Sequence, residues 1–475
     1  MRTQRHNLSW LGWASSAAVL LVAALATPSR AQPPNPGMRT TLPPGTAPGN
    51  VEGVPPGTPL PSQGYPANVA PNAVPQHPVT PPEMQPNARV WTLEQLTQLA
   101  EQSSPAIAKA RAEIQSARGA AVQAGLYPNP DFDTNNPEFI AGQFTNLNVG
   151  IIQEVVVKGK KRLDQSAAEQ AAVQAELAYI KARFDTLTDI RTQFYSVLAA
   201  ERRMALQWDL VQIAAATRRA AEQRVQALQG TETDVLLLTV ELQRAEIAAR
   251  NYQTVWEGSK RKLAATIGIP ELPIAALQGD LFGPLPAFDE ETLRQFILVE
   301  NSEVQSARID VNRNRLLLRR AEVEPYPNIV IGPTFYSGIF PNRSPPQFGF
   351  TVVFPIPTWD RNQGNIQARQ GDVRVSTANV GVVQNNLLGE TANTLAQHRA
   401  ARQRAERIGR EILPNTQKAL HMTRSGYDNG LFDISTLLQA QRSLIETNKG
   451  LIDALESAWT TGANLAGVLQ QQQFP

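Results

Sequence analysis

Apolar residues fall at three- and four-residue steps along the longest uninterrupted stretch of this chain, and at alternate positions along shorter stretches beside it. From Lys161 to Gln229 there is neither Gly nor Pro, and Leu177, Ile180, Phe184, Leu187, Phe194 and Leu198 form a narrow stripe. Such a stripe suits one side of a coiled-coil-like helix. At about 1.5 Å per residue, the helix would run roughly 100 Å. The segment "QGTETD" (Gln229 to Asp234) breaks it with Gly and cap-forming residues, and a second helical run spans Val235 to Thr266 before "GIP". The pattern predicts a very long antiparallel helical hairpin.

Period-two alternation marks the strands. Phe348, Phe350, Val352, Phe354 and Ile356 alternate with residues that include Gly349 and Thr351. Ile329, Ile331 and Phe335 alternate with Gly332, Thr334 and Tyr336, and Leu147, Val149 and Ile151 with Asn146, Asn148 and Gly150. A fourth strand is expected near Asp131 to Ile140. Segments of this kind, apolar on one side and small or polar on the other, fit a transmembrane barrel; the edge of a soluble sandwich is the alternative.

The plan occurs twice. "SPAIAKARAEI" (Ser104 to Ile114) resembles "NSEVQSARIDV" (Asn301 to Val311), and "YPN" at Tyr127 recurs at Tyr326. Gly230 with Leu237-Leu238 recurs as Gly430 with Leu437-Leu438. The common order points to duplication, with repeats over 89–280 and 281–475. Between strand and helix in the second repeat lies "FPIPTWDRNQG" (Phe354 to Gly364). Pro355 and Pro357 cannot donate to a ladder, so they end the strand. The next helix is expected near Asn365, capped by Asp360 or Asn362. "EVVVKGKKR" (Glu154 to Arg162) is the first-repeat counterpart.

Composition adds an exported context. Arg2 and Arg5, the apolar "AAVLLVAALA" (Ala17 to Ala26) and "SRA" ending at Ala31 read as a signal peptide over 1–31, with an uncleaved anchor as the alternative. Residues 32–88 are rich in Pro, Gly, Asn and Thr and are expected to be a disordered leader. No other stretch approaches the ~20 apolar residues of a spanning helix, so a membrane span must be built from strands. The 44 Lys and Arg nearly balance 42 Asp and Glu, which gives nucleic acid no electrostatic attraction. With no cysteine, disulfides, thiol catalysis and lipoprotein-type acylation are excluded for these 475 residues. The four histidines (His6, His77, His398, His421) are scattered and accompany no metal or paired-carboxylate motif, so neither enzyme, metal site nor cofactor is expected.

The duplicated plan, the "FPIPTWDRNQGNI" junction and "SGYDNGLFDISTLLQAQRSL" (Ser425 to Leu444) together resemble the TolC family of outer-membrane efflux ducts, over Trp91 to about Leu469. The junction most resembles members serving Czc-type heavy-metal efflux. The resemblance implies a mostly α fold with a small β part. Duplicated hairpins would form a trimeric periplasmic α-barrel, and four strands per chain would enter a shared twelve-stranded transmembrane barrel. It also implies a passive duct completed by a periplasmic adaptor and an inner-membrane pump. Independently, four strands cannot sit in lipid with open edges, so several copies must share one barrel. The family places the adaptor-docking tip at the hairpin turns, here Gly230, Gly430, Leu431 and Phe432. It places the periplasmic gate at Tyr427, with the two aspartates that ring its entrance replaced by Thr436 and Gln439; Asp428 and Asp433 lie nearby. The junction set is Pro355, Pro357, Asp360 and Gly364. The competing classes are an exported adhesive coiled-coil protein and a periplasmic adaptor. Neither needs two hairpins together with two strand pairs.

Overall fold

The computed structural model describes residues 90–134, 138–140, 143–228, 230–338 and 345–474. The expected signal peptide and leader lie outside the described residues, as do 135–137 of the expected fourth strand. The first repeat begins with β1 (Val90–Thr92), α1 (Leu93–Ser103) and α2 (Pro105–Gly125). Thr92 and Gln95 form a reciprocal capping box at the start of α1. Strands β2 (Asp131–Asp133), β3 (Glu138–Ile140) and β4 (Gln143–Val155) follow, then the 67-residue α3 (Lys160–Gln226) and the 36-residue α4 (Glu232–Ile267). Alanine, glutamine, glutamate, arginine and leucine, all good helix formers, make so long a helix affordable.

After β5 (Ala276–Gln278), the second repeat runs α5 (Glu290–Val299), α6 (Ser302–Glu322), β6 (Ile329–Gly338), β7 (Gln347–Val353) and α7 (Gln363–Arg407). A π turn (Ile408–Ile412) leads straight into α8 (Leu413–Asp428), and α9 (Ile434–Val468) returns. The two halves match in length: α2 and α6 each hold 21 residues, and α4 and α9 hold 36 and 35. They differ at the π turn, an interruption the sequence pattern did not predict. Pro414, two residues beyond it, has no N–H to give the preceding turn, and a wider turn accommodates that loss.

The sheet has the order β2-β4-β6-β7, with β3 also paired to β4, all antiparallel. The expected fourth strand is thus split in two, both pieces lying along one side of β4. Val149, Phe335 and Phe348 share one face, as do Ile331 and Val352, and the Phe335 and Phe348 rings lie 5.3 Å apart. Phe132 pairs with Ile151, and Phe350 with Pro333. Phe348 is 86% and Phe350 66% exposed, so this face is apolar and bare. The opposite face carries Gly150, Thr334 and Gly349 in one row, with Gly332 and Thr351 in the next. The outer strands of this sheet have no further partner among the described residues.

The main core lies where α1, α3, α4, the π turn and α9 converge. Trp459 is buried there, stacked on Tyr195 with ring centroids 4.2 Å apart, and its Nε1 donates to the Leu281 carbonyl at 2.8 Å. His398 is also buried, with Nδ1 3.0 Å from the Ala458 carbonyl and Nε2 2.9 Å from that of Pro286. It therefore tethers α7 to α9 and to the loop after β5, a structural role. Among the described residues, no helix is long and apolar enough to cross a membrane, and no cluster of His, Asp and Glu could hold a metal ion.

Candidate functional site

Two places carry the sequence-derived residues: the strand–helix junctions and the hairpin turns. In the second junction the ladder stops at Val353, paired with Val330, two residues before Pro355. The expected strand to Ile356 is therefore shorter by three residues, Phe354, Pro355 and Ile356. Pro355 interrupts the supply of N–H donors, and the Thr358 N–H turns back to the Ile356 carbonyl at 2.9 Å. Helix α7 starts at Gln363, two residues before Asn365, and Asn362 is its N-cap in the left-handed conformation, φ 60°. Its side chain does not cap the helix. Its Nδ2 donates to the Ala321 carbonyl at 2.8 Å, and its Oδ1 accepts from Asn365 Nδ2 at 2.6 Å. Asp360 Oδ1 accepts the Asn362 N–H at 2.8 Å, so it shapes the approach to the helix. Gly364 is exposed, with open space where a Cβ would stand.

The first junction uses other means. Lys158 and Gly159 are both left-handed, φ 58° and 66°, and Gly159 is the N-cap of α3. Lys160 is 1% exposed, and its Nζ donates to the Glu324 carbonyl at 3.3 Å with the Glu324 carboxylate 3.6 Å away. Arg320 pairs with Asp164 on α3 at 2.9 Å and with Glu324. Both long helices are thus moored to the C-terminal end of α6.

At the turns, Gly430 has φ 75°, a conformation that suits glycine, and its Cβ position is open. The Leu431 N–H donates to the Gly426 carbonyl at 2.8 Å and the Gly430 N–H to that of Tyr427 at 3.0 Å, closing α8 as in a Schellman motif. Gly230 does not share the left-handed conformation; Leu228 adopts it, φ 59°. A Cβ on Gly230 would stand 3.2 Å from Arg224 Cβ, so close approach is what this position requires. Leu431 is 76% exposed and Phe432 half exposed. Phe432 packs across Gly426, where any Cβ would collide with its ring. Sequence reasoning missed Leu228, which is 95% exposed at the first turn, and Gly426. The glycine one turn before "NGLF" was the available signal for the latter.

Tyr427 is buried among Ala221, Leu238, Ile434 and Leu437, which joins the two hairpins. The Arg224 guanidinium lies 4.8 Å from its ring centroid, and Nη1 donates to its carbonyl at 3.3 Å. Asp433 is the N-cap of α9. Its Oδ1 accepts from the Thr436 N–H at 3.1 Å and hydroxyl at 2.6 Å, and its Oδ2 from the Ser435 hydroxyl at 2.7 Å. These bonds, led by the Thr436 hydroxyl, hold its carboxyl below the ordinary range. The side chain of Asp428 lies outside the described ones. Thr436 and Gln439 face a groove between α8 and α9 whose other walls include Asn415, Thr416, Thr423 and Ser443, all uncharged.

Residues 293–469 match the family model described as outer membrane efflux protein. Over 386 residues, covering 80% of this chain and 90% of its relative, the chain is 26% identical to the cobalt-zinc-cadmium resistance protein CzcC of Cupriavidus metallidurans. Its fold matches that of CusC, with a TM-score of 0.69 and 16% identity over 79% of this chain and 91% of the other. It also matches the outer membrane protein VceC of Vibrio cholerae, with a TM-score of 0.65 and 18% identity over 80% and 96%. The resemblance drawn from the residues agrees with these findings.

Proposed function

We propose that this chain, an outer-membrane efflux protein, is the duct of a tripartite exporter, a homotrimer whose strands close one twelve-stranded barrel and whose hairpins line a periplasmic α-barrel. The sheet supports this reading most directly. One face is bare and apolar, the other small and polar, and the sheet's two edges await partners. Such a sheet is stable in lipid only when copies pair edge to edge and leave no backbone group unpaired. The matched lengths of the helices support a duplication with repeats over 89–280 and 281–475. The leader at 32–88 is read as a spacer. Two hairpins per chain favour a duct over an adaptor, which would carry one.

No chemical step is required of such a conduit. A periplasmic adaptor docks on the turns around Gly230, Gly430, Leu431 and Phe432, and an inner-membrane pump drives transport. The likeness to CzcC supports divalent heavy-metal ions as the cargo. Mass measurement of the mature chain in mild detergent should give a trimer, and planar bilayers should show discrete conductance. A stable, water-soluble monomer with full secondary structure would overturn the proposal. Deletion in the native host should sensitise cells to cobalt, zinc or cadmium; unchanged tolerance would move the cargo elsewhere.

A further inference from the structure

The loop between β7 and α7 combines a fixed backbone with bare apolar side chains. Ile356 is 74% and Trp359 89% exposed, and Phe354 is half exposed. Yet the backbone is stiffened by Pro355 and Pro357 and tied by local bonds. The Arg361 N–H donates to Gln363 Oε1 at 2.8 Å, and Gln363 Nε2 returns to the Trp359 carbonyl at 3.1 Å. The backbone of Trp359 is thus held while its side chain stays almost wholly exposed.

The loop continues the bare apolar face of the sheet toward the helical end. Tyr127 and Tyr326, the equivalent residues of the two repeats, are also exposed at this end, 64% and 50%. Lys158 sits over the Tyr326 ring at 4.5 Å. Next to it, the first junction supplies Lys161 and Arg162, and none of these three cations has a carboxylate partner among the described residues. Lys160, by contrast, is buried and bound to Glu324. Amphipathic aromatic rings settle at the level of lipid headgroups, and cations there attract anionic ones.

We propose that each protomer carries a phospholipid-binding collar at its periplasmic strand–helix junction. Phe354, Ile356 and Trp359 form an apolar wedge in the acyl–headgroup boundary. Lys158, Lys161 and Arg162 hold the phosphate of an anionic glycerophospholipid. The collar rests on the membrane-spanning reading of the sheet.

The test uses the trimer in nanodiscs of equal phosphatidylglycerol and phosphatidylcholine. Shallow brominated lipids should quench the fluorescence of the full chain at least twofold more than that of Trp359→Phe. Lipid co-purified with the chain should be enriched in phosphatidylglycerol about threefold over the input. The combined variant Lys158→Gln, Lys161→Gln and Arg162→Gln should return that ratio to the input value while leaving conductance intact. Equal quenching of the two proteins in a conducting channel would overturn the wedge. Equal lipid ratios with and without the cations would overturn headgroup binding. Failure of the unmodified chain to insert or conduct at all would defeat the membrane-spanning reading and the collar with it.

Discussion

In the first repeat the chain passes from β4 to α3 through residues 156–159; in the second it passes from β7 to α7 through 354–362. Both passages finish at a left-handed N-cap, Gly159 at φ 66° and Asn362 at φ 60°, and both fasten to the end of α6. The short joint does so with a buried ammonium on the Glu324 carbonyl, the long one with an amide on the Ala321 carbonyl. The backbone solution is shared and the side-chain solution is not. The demand common to both is the reversal in direction from strand to helix, so φ is what the two joints hold in common. The long joint has residues to spare, and it displays them as the exposed Ile356 and Trp359.

The sharpest way to break the comparison is to give the second joint the donors it lacks. Pro355→Val with Pro357→Val should let the ladder run past Val353, reducing outer-membrane trimer several-fold on heat-modified gels. Normal assembly and export would mean that the prolines are incidental. The turns come next. Gly430→Leu should abolish export in a metal-tolerance assay while trimer yield stays within about twofold, because a left-handed leucine costs only about 1–2 kcal/mol locally. Gly230→Ala, at a position without that conformation but with a Cβ 3.2 Å from Arg224 Cβ, should reduce export less than Gly430→Leu. Loss of the trimer in Gly430→Leu would assign this glycine to folding alone.

The α8–α9 groove offers a smaller effect, confined to conduction. Its walls at Thr436 and Gln439 are uncharged, so multivalent cations added on the periplasmic side should block single-channel current weakly. Thr436→Asp should create a block, since threefold repetition would focus the new charge in one constriction. Strong block of the unmodified channel would assign the constriction to Asp428 or Asp433. The smallest effect belongs to the joints: Gly159→Asn should shift stability by no more than about 0.5 kcal/mol, because asparagine tolerates φ > 0, whereas Asn362→Gly should cost about 0.5–1.5 kcal/mol by removing the amide bond to the Ala321 carbonyl. Gly159→Val should cost about 1–2 kcal/mol through backbone strain, for no neighbour stands near its Cβ. Denaturant titration of the purified protein measures all three.

A pH titration separates the turns as well. The folded value of Asp433 is depressed, so its capping contributes stability above the ordinary carboxylate value of 3.8 and loses it as pH falls through the lower folded value. Thr231, which caps α4 by accepting from the Asp234 N–H at 3.2 Å, has no proton to gain. Hydrogen exchange in the first turn of α9 should therefore accelerate in acid beyond the ordinary range. Acceleration already above that range would show that the cap bonds do not hold the carboxyl down.

Regular periodicity was what made the architecture readable. Of the stripe, Phe184, Leu187, Phe194 and Leu198 are buried as the spacing requires, while Leu177 is only partly buried and Ile180 is exposed; the alternation around Phe348 to Val352 separates the two sheet faces. What escaped was set by contacts between segments distant in the chain. Lys160 reads as one member of a basic run, yet the end of α6 buries it. Leu228 reads as the last apolar residue of a helix, yet it takes a left-handed conformation. The π turn was invisible because Pro414 in so long a helix signals a break but not its form. For the turns and the groove, the residues themselves were legible, and their grouping around Tyr427 and Arg224 was not.

The near-identity of lengths has a consequence for inheritance. Helix α3 holds 67 residues; α7, the π turn and α8 hold 45, five and 16, one fewer in all. Inserting one residue in an α-helix turns everything beyond it by about 100°, which would rotate a whole packed face out of register. Descendants of this chain can therefore exchange letters freely along the outer faces of the helices but can change their count almost nowhere in them. The joints bear no such restriction, as 156–159 and 354–362 already show. Over generations, gain and loss of residues should be written into those joints, while the rods between them keep their measure.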